Sequence, residues 1–153
     1  MAVKLVKPIN HKKVVKITNQ DFEAKMRELR VNSDIAVAVS GGPDSLALMH
    51  LSNRYALNNN INLTVLSIDH GIRAESSKEI VWLEKIAKKN KINFYSTKLK
   101  KKINSSNTLS KARTLRYEAL SKYCNKKKIK FLLTAHHLDD EIENFLMRLI
   151  RGS

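Results

Sequence analysis

The chain has 153 residues, enough for one domain with a buried core, and carries 29 Lys and Arg against 14 Asp and Glu, a formal charge of +15. Its single cysteine, Cys124, excludes an intrachain disulfide and any Cys-x-x-Cys metal or cluster site, which suits a reducing cytoplasm. No apolar run approaches the roughly 20 residues of a membrane span, and the basic start "MAVKLVKPINHKKVVKIT" lacks the continuous apolar core of a secretory signal.

In chain order, residues 1–17 read as a loose basic arm and 18–153 as one domain. "TNQDFEAKMREL" opens on a cap-like Thr18 and puts Phe22, Met26 and Leu29 on one helical face. "IAVAV" (35–39) is a run of small apolar residues, as in a strand buried on both faces. "LALMHLSNRYAL" (46–57) reads as a helix, "NNNIN" as a loop and "LTVLSID" (63–69) as a second strand. A helix over 76–90 has a Ser cap and a stripe of Ile80, Leu83, Ile86 and Ala87. A third strand over 92–99, the polar loop "KKKINSSN", a long helix over 108–128, a fourth strand over 129–135 and a last helix over 138–150 complete the series. Four alternations of strand and helix predict an α/β fold, a parallel sheet with helices on both faces. Ligands in such sheets sit beyond the carboxyl ends of the strands. "SGGPDS", "DHGIR" and "TAHHLDD" all follow predicted strands and fall at that edge.

The turn "SGGPDS", Ser40 to Ser45, joins the first of these strands to a helix. A Gly-Gly pair permits positive φ and close approach of another group to the backbone. The helix start beyond it offers free N–H groups and a partial positive charge, together an anion site suited to phosphate, with hydroxyl donors from Ser40 and Ser45. A P-loop would need Lys where Leu46 stands, and no G-x-G-x-x-G is present. Asp44 beside phosphate calls for a bridging divalent cation, and Mg²⁺ is commonly held by one or two carboxylates plus phosphate oxygens.

The other motifs add charge of both signs. "DHGIRAES" supplies Asp69, His70 and Arg73, and "KARTLRY" sets Arg113 and Arg116 three apart on one helical face, where they could clamp phosphate. "TAHHLDDEIEN" gathers His136, His137, Asp139, Asp140 and Glu141 at one strand-to-helix turn, without the further ligands of a structural zinc site. The basic excess favours a polyanionic partner, although 21 Lys and 14 Asn are also what coding drift in an AT-rich genome produces. Drift explains the Arg residues less well, since Arg73, Arg113, Arg116, Arg148 and Arg151 cluster near the motifs.

"SGGPDS" resembles the S-G-G-x-D-S loop of the ATP pyrophosphatases, or PP-loop enzymes, which holds the pyrophosphate part of ATP while the α–β bond is cut. The ordered set "SGGPDS", "DHGIR", "ARTLRY", "TAHHLDDEIEN" and "RLIRGS" resembles the tRNA(Ile)-lysidine synthetase family over residues 34 to 153. Two positions depart from that family's pattern, Glu141 in place of Gln and Asn144 in place of Thr. The resemblance implies an adenine nucleotide alpha hydrolase-like, Rossmann-type domain. It also implies an ATP-dependent ligase that joins free L-lysine to C2 of the wobble cytidine of tRNA(Ile) with a CAU anticodon. That cytidine is adenylated, pyrophosphate leaves, the lysine amine attacks C2 and AMP departs. The product, lysidine, shifts codon reading from AUG to AUA.

Carried onto this chain, the resemblance implies ATP contacts at Ser40, Gly41, Gly42, Pro43, Asp44, Ser45, Asp69 and Arg73, and Mg²⁺ at Asp44. It implies catalytic roles for Asp44, Arg113, His137 and Asp140, with Asp139 and Asp140 orienting either the lysine ammonium or the metal. The family's chains run well past "RGS", so the resemblance also implies a domain incomplete at its C-terminus and 153 residues that are inactive alone. A split or a decayed gene would leave the same end. Two rival readings stand beside this one: a non-catalytic ATP- or RNA-binding remnant, and a tRNA 2-thiocytidine synthetase, against which the single cysteine argues. A homodimer is left open.

Overall fold

The computed structural model describes residues 4–6, 17–69, 76–98 and 108–135. Their elements are β1 (Lys4–Val6), α1 (Asn19–Glu28), β2 (Ile35–Ala38), α2 (Pro43–Asn58), β3 (Leu63–Asp69), α3 (Ser76–Lys89), β4 (Asn93–Lys98), α4 (Thr108–Lys126) and β5 (Phe131–Thr134). The five strands form one sheet in the order β1-β5-β2-β3-β4, with every pair parallel. β2 is central, with Ile35 to Ala38 registered on Leu63 to Leu66 of β3 and on Phe131 to Thr134 of β5.

The two faces are set by the side-chain period of two along each strand. Ile35, Val37 and Val39 join Leu63, Val65, Phe131 and Leu133 on one face, under Met26 of α1, Met49 and Tyr55 of α2, and Leu83 and Ala87 of α3. Ala36, Leu66 and Leu132 point the other way, against Leu120 and Cys124 of α4. Helices therefore cover both faces, as the alternation predicts, with three on one side and α4 on the other. Because β2 is buried on both faces it reads as a continuous apolar run rather than an alternating one.

Local chemistry marks the helix ends. Thr18 caps α1 reciprocally with Asp21: the Thr18 amide donates to the Asp21 carboxylate (2.9 Å) and the Asp21 amide to the Thr18 hydroxyl oxygen (3.2 Å). Each of the four helices ends on a residue in the left-handed region: Arg30 (φ 52°), Asn60 (53°), Lys91 (56°) and Lys128 (58°). The next residue is apolar in every case, and its amide returns to a carbonyl of the last turn: Val31 to Met26 (3.0 Å), Ile61 to Ala56 (3.1 Å), Ile92 to Ala87 (2.9 Å) and Ile129 to Cys124 (2.9 Å). This is the Schellman ending, in which glycine is the usual left-handed residue. Non-glycine residues there give up roughly 1 kcal/mol or more of backbone energy.

The structure differs from the sequence reading at two places. Within the segment read as a loose arm, Lys4–Val6 pairs in parallel with Phe131–Leu133 and forms an edge strand. α2 starts at Pro43, three residues before its apolar periodicity begins at Leu46, because proline suits the first helical position. The helix read over 138–150 lies outside the described residues.

Cys124 is fully buried, and burial pushes its thiol up from the ordinary value of 9.0 to about 11. The folded thiol thus holds its proton more tightly than the unfolded one, so its contribution to stability is complete below pH 9 and is lost as pH rises toward 11. The expected outcome is an extra loss on the order of 2 kcal/mol across that window relative to Cys124→Ala, measured by urea unfolding at a series of pH values. Equal pH slopes for the two proteins would contradict the assignment.

Candidate active site

The chain runs outward from β2 to β3 to β4 on one side and then returns to place β5 on the other side of β2. The order reverses at β2, which makes the crevice at the carboxyl ends of β2 and β5 the switch point, the position where open α/β sheets bind ligands. Val39 continues the ladder by donating its amide to the Leu66 carbonyl (2.9 Å), and the turn Ser40–Ser45 begins at that crevice.

The turn is built from a few specific contacts. Gly41 has φ 91°, a conformation that side chains strain to adopt, and a Cβ placed on it would meet nothing within 4 Å. The requirement at Gly41 is therefore conformational and not a matter of space. Gly42 is the N-cap of α2, in extended conformation and without a side chain to cap the first amides. Ser45 is 6% exposed; its hydroxyl donates to the Gly42 carbonyl (2.9 Å) and accepts from the Ser40 amide (3.3 Å). Ser45 thus locks the turn across its mouth, with the Ser40 hydroxyl 3.4 Å from its own. Asp44 sits in the first turn of α2 and is exposed. Asp69 is the last residue of β3, buried, on the neighbouring strand end.

α4 closes the other side. It runs antiparallel to the strands, so its earlier turns lie over the crevice while Cys124 lies at the far edge of the sheet. Arg116, Tyr117 and Leu120 face Ala38, Ser40, Ile68 and Thr134 across a cavity of about 50 Å³. The Arg113 and Arg116 guanidinium carbons stand 5.7 and 5.8 Å from the Tyr117 ring centroid, within cation–π reach. One ring therefore gathers both guanidinium groups at the same end of α4. The role of Tyr117 in this wall was not singled out from sequence, although it stands within the quoted "KARTLRY"; the i, i+4 spacing from Arg113 was the available signal.

Of the residues singled out from sequence, Ser40 to Ser45, Asp69, Arg113 and Arg116 are brought to this carboxyl edge. Arg116 lines the cavity and Arg113 stands one turn earlier on α4. Arg73, His70, His136, His137, Asp139, Asp140, Glu141 and Asn144 lie outside the described residues. Among the described residues no cluster of three or more His, Cys, Asp or Glu stands ready for a metal ion, and no helix is long and apolar enough to cross a membrane.

A parallel sheet with a glycine turn and a bare helix start at its switch point is the arrangement of a nucleotide-phosphate site, and comparison with known proteins agrees. The PP-loop domain profile matches residues 10–153. The chain belongs to the PP-loop family. It is 48% identical over 121 residues to a tRNA(Ile)-lysidine synthase of Rickettsia bellii, covering 79% of this chain and 28% of that protein. It is 41% identical over 137 residues to the tRNA(Ile)-lysidine synthase of Rickettsia typhi, covering 88% of this chain and 32% of that protein. The chain thus spans about a third or less of the relatives it matches. Among solved structures it is similar to the U34-tRNA thiolase NcsA from Methanococcus maripaludis, with a TM-score of 0.71 and 25% identity over 88% of this chain and 50% of that one.

The two glycines of the PP-loop turn should respond differently to substitution. Gly41→Ala is expected to cost about 1 to 2 kcal/mol, because its φ is positive. Gly42→Ala is expected to stay within about 0.5 kcal/mol of wild type, since its new Cβ would lie 3.8 Å from the Ser40 hydroxyl in ordinary contact. Denaturant unfolding of the two variants measures the contrast, and equal losses would contradict it.

Proposed function

We propose that this chain supplies the ATP-binding part of an enzyme that ligates lysine to C2 of the wobble cytidine of an isoleucine tRNA. The observation that carries the reading is the Ser40–Ser45 turn, with Gly41 in the left-handed region and Gly42 as the N-cap of α2, set at the β2/β5 switch point beneath Arg116. The relatives' shared name, tRNA(Ile)-lysidine synthase, supports the choice of substrate.

In this reading the turn and the α2 N-terminus hold the β- and γ-phosphates of ATP, where backbone N–H groups and the helix dipole favour negative charge. The cytidine O2 attacks the α-phosphorus, the α–β bond breaks, and pyrophosphate leaves held by Ser40 to Ser45. Arg113 and Arg116 stabilise the charge that develops on the phosphoryl oxygens. The amine of lysine then attacks C2, AMP leaves with the former O2, and the nitrogen gives up a proton. In this reading Asp44 holds Mg²⁺, supported by its position as an exposed carboxylate in the first turn beside the phosphate loop, since one such ligand plus phosphate oxygens is an ordinary Mg²⁺ set. When bound, the ion neutralises phosphate charge. In this reading Asp69, the buried last residue of β3, is a further ATP contact. Arg73, His137 and Asp140 belong to this proposal on their motifs alone, Arg73 for ATP and the other two for the second half-reaction.

The sulfur-transfer chemistry named in the structural neighbour fits these residues less well. The one cysteine is buried in the second apolar cluster, two turns along α4 from Arg116 and away from the crevice, with a thiol pushed up to about 11.

Incubation of the intact enzyme with ATP, lysine and an unmodified isoleucine tRNA transcript is expected to yield AMP and pyrophosphate with labelled lysine in the RNA. ADP and phosphate as main products would sink the reading. Asp44→Asn is expected to retain the fold, by circular dichroism, and to lose on the order of 10²-fold or more in turnover; unchanged turnover would remove Asp44 from the metal role.

A further inference from the structure

Every helix of the described fold runs antiparallel to the strands, so all four helix ends meet at the amino edge of the sheet, opposite the PP-loop. The turns that join them to β2, β3, β4 and β5 carry the left-handed residues Arg30, Asn60, Lys91 and Lys128. Three of these four are cations, all exposed. Each occupies a conformation that glycine would adopt without strain. More positive charge stands directly behind them: Lys88 and Lys89 fill the last turn of α3, and Lys126 that of α4. The acidic side chains described at this edge are engaged, Glu28 with Lys25 (2.8 Å) and Asp34 as acceptor from the Asn62 amide (3.0 Å).

The tips lie in the order of their strands, β5, β2, β3, β4, so Lys128 and Lys91 are separated by three strand spacings, roughly 14 Å. Between the ends of α1 and α2 the row dips into an open groove lined by Arg27, Arg30, Asn32 and Asn59. A row of cations of this length, with hydrogen-bonding amides in its recess, fits a run of phosphates better than one phosphate. The apolar residue that follows the tip folds inward at three of the four, where Val31, Ile92 and Ile129 are buried, while Ile61 is half-buried and lines the groove. Apart from Ile61 and the exposed Leu57 in the last turn of α2, the edge offers charge rather than an apolar face, which suits a nucleic-acid backbone better than a lipid surface.

We infer that the amino edge of the sheet, marked by Arg30, Lys91 and Lys128, is a docking surface for the phosphate backbone of a folded RNA. It stands a helix length, roughly 24 Å along the 16 residues of α2, from the PP-loop. No mononucleotide reaches both edges. The surface contributes affinity for the body of the RNA, independent of base sequence, and takes no part in the reaction. The inference rests on the tRNA-modifying reading only for its choice of ligand, and it is tested by binding alone.

The test measures affinity of the intact protein for an unmodified isoleucine tRNA transcript across a salt series from about 50 to about 200 mM. The variants are the triple Arg30→Gln, Lys91→Gln, Lys128→Gln and the corresponding triple to glycine, which the left-handed turns accept without strain. A control triple, Arg54→Gln, Lys85→Gln, Lys122→Gln, removes the same charge from exposed helix positions six residues before the tips, roughly 9 Å back from the edge. Both edge triples are expected to retain the melting temperature and the AMP-forming activity at saturating RNA, while the log–log salt slope falls in magnitude by about 2 to 3. The control triple is expected to change the slope by less than half as much. An unchanged slope in the edge triples, or an equal fall in the control, would overturn the inference, the latter by showing that net charge alone governs binding. Retained tRNA affinity with lost binding to phosphatidylserine vesicles would overturn it in favour of a membrane. Absence of AMP formation with the slope change intact would instead fail the proposed reaction and leave this surface standing.

Discussion

The fold depends on β2 pairing in parallel with β3 on one side and β5 on the other. A strand so placed has no solvated face, and Ile35, Ala36 and Val37 are all fully buried. The two neighbours are reached from opposite directions along the chain. β3 follows at once through α2, whereas β5 arrives only after the chain has crossed back over the other face as α4. That reversal puts the switch point between the carboxyl ends of β2 and β5. The crevice is thus a consequence of strand order, and the PP-loop needs only to be the turn that leaves the central strand.

α4 joins the stability of the domain to the position of its cations. Leu120 and Cys124 pack over Ala36, Leu66 and Leu132, and full burial of a leucine side chain contributes roughly 2 kcal/mol. The same spacing of three to four residues, continued toward the helix start, brings Tyr117 and Arg113 onto the same stripe. Burial at one end therefore fixes the rotation and height at which the guanidinium groups project at the other. Small residues at Ala36 and Ala38 on the sheet let the helix lie close. Tyr95 of the edge strand β4 stacks on Tyr123 of α4 with centroids 4.1 Å apart, which ties the outermost strand to the same helix.

Much of this was legible in the sequence because it rests on periodicity. β2 to β5 and all four helices follow from apolar runs, stripes of three and four, and capping residues such as Thr18. β1 was not legible, because "KLV" in a basic segment becomes a strand only by meeting the free edge of β5, a contact more than a hundred residues away. The start of α2 was written in Pro43 and Asp44 more plainly than in its apolar pattern. The hydroxyl of Ser45 reads as a ligand donor in sequence; in the structure its proton goes to the Gly42 carbonyl. The left-handed tips were hidden for another reason: the usual mark of such an ending is glycine, and here the positions hold Arg, Asn and Lys. Only the apolar residue after each tip gave a signal, and it is equally the first residue of a strand.

The charge of the two edges follows from these endings. In a parallel α/β domain the helix dipoles all point one way, so backbone alone makes the carboxyl edge of the sheet positive and the amino edge negative. At the carboxyl edge the dipole of α2 and the guanidinium groups of Arg113 and Arg116 act in the same sense. At the amino edge the side chains oppose the dipoles. Each helix terminus carries about half a negative charge, which a single cation exceeds. α1, α3 and α4 each end in more than one cation, and α2 in none. Side chains have therefore reversed the sign that the backbone would set at the amino edge, while at the carboxyl edge Arg113 and Arg116 stand with the carboxylates of Asp44 and Asp69. An anion no larger than a nucleotide can reach only one of the two edges. A polyanion whose phosphates extend farther than the length of α2 can reach both.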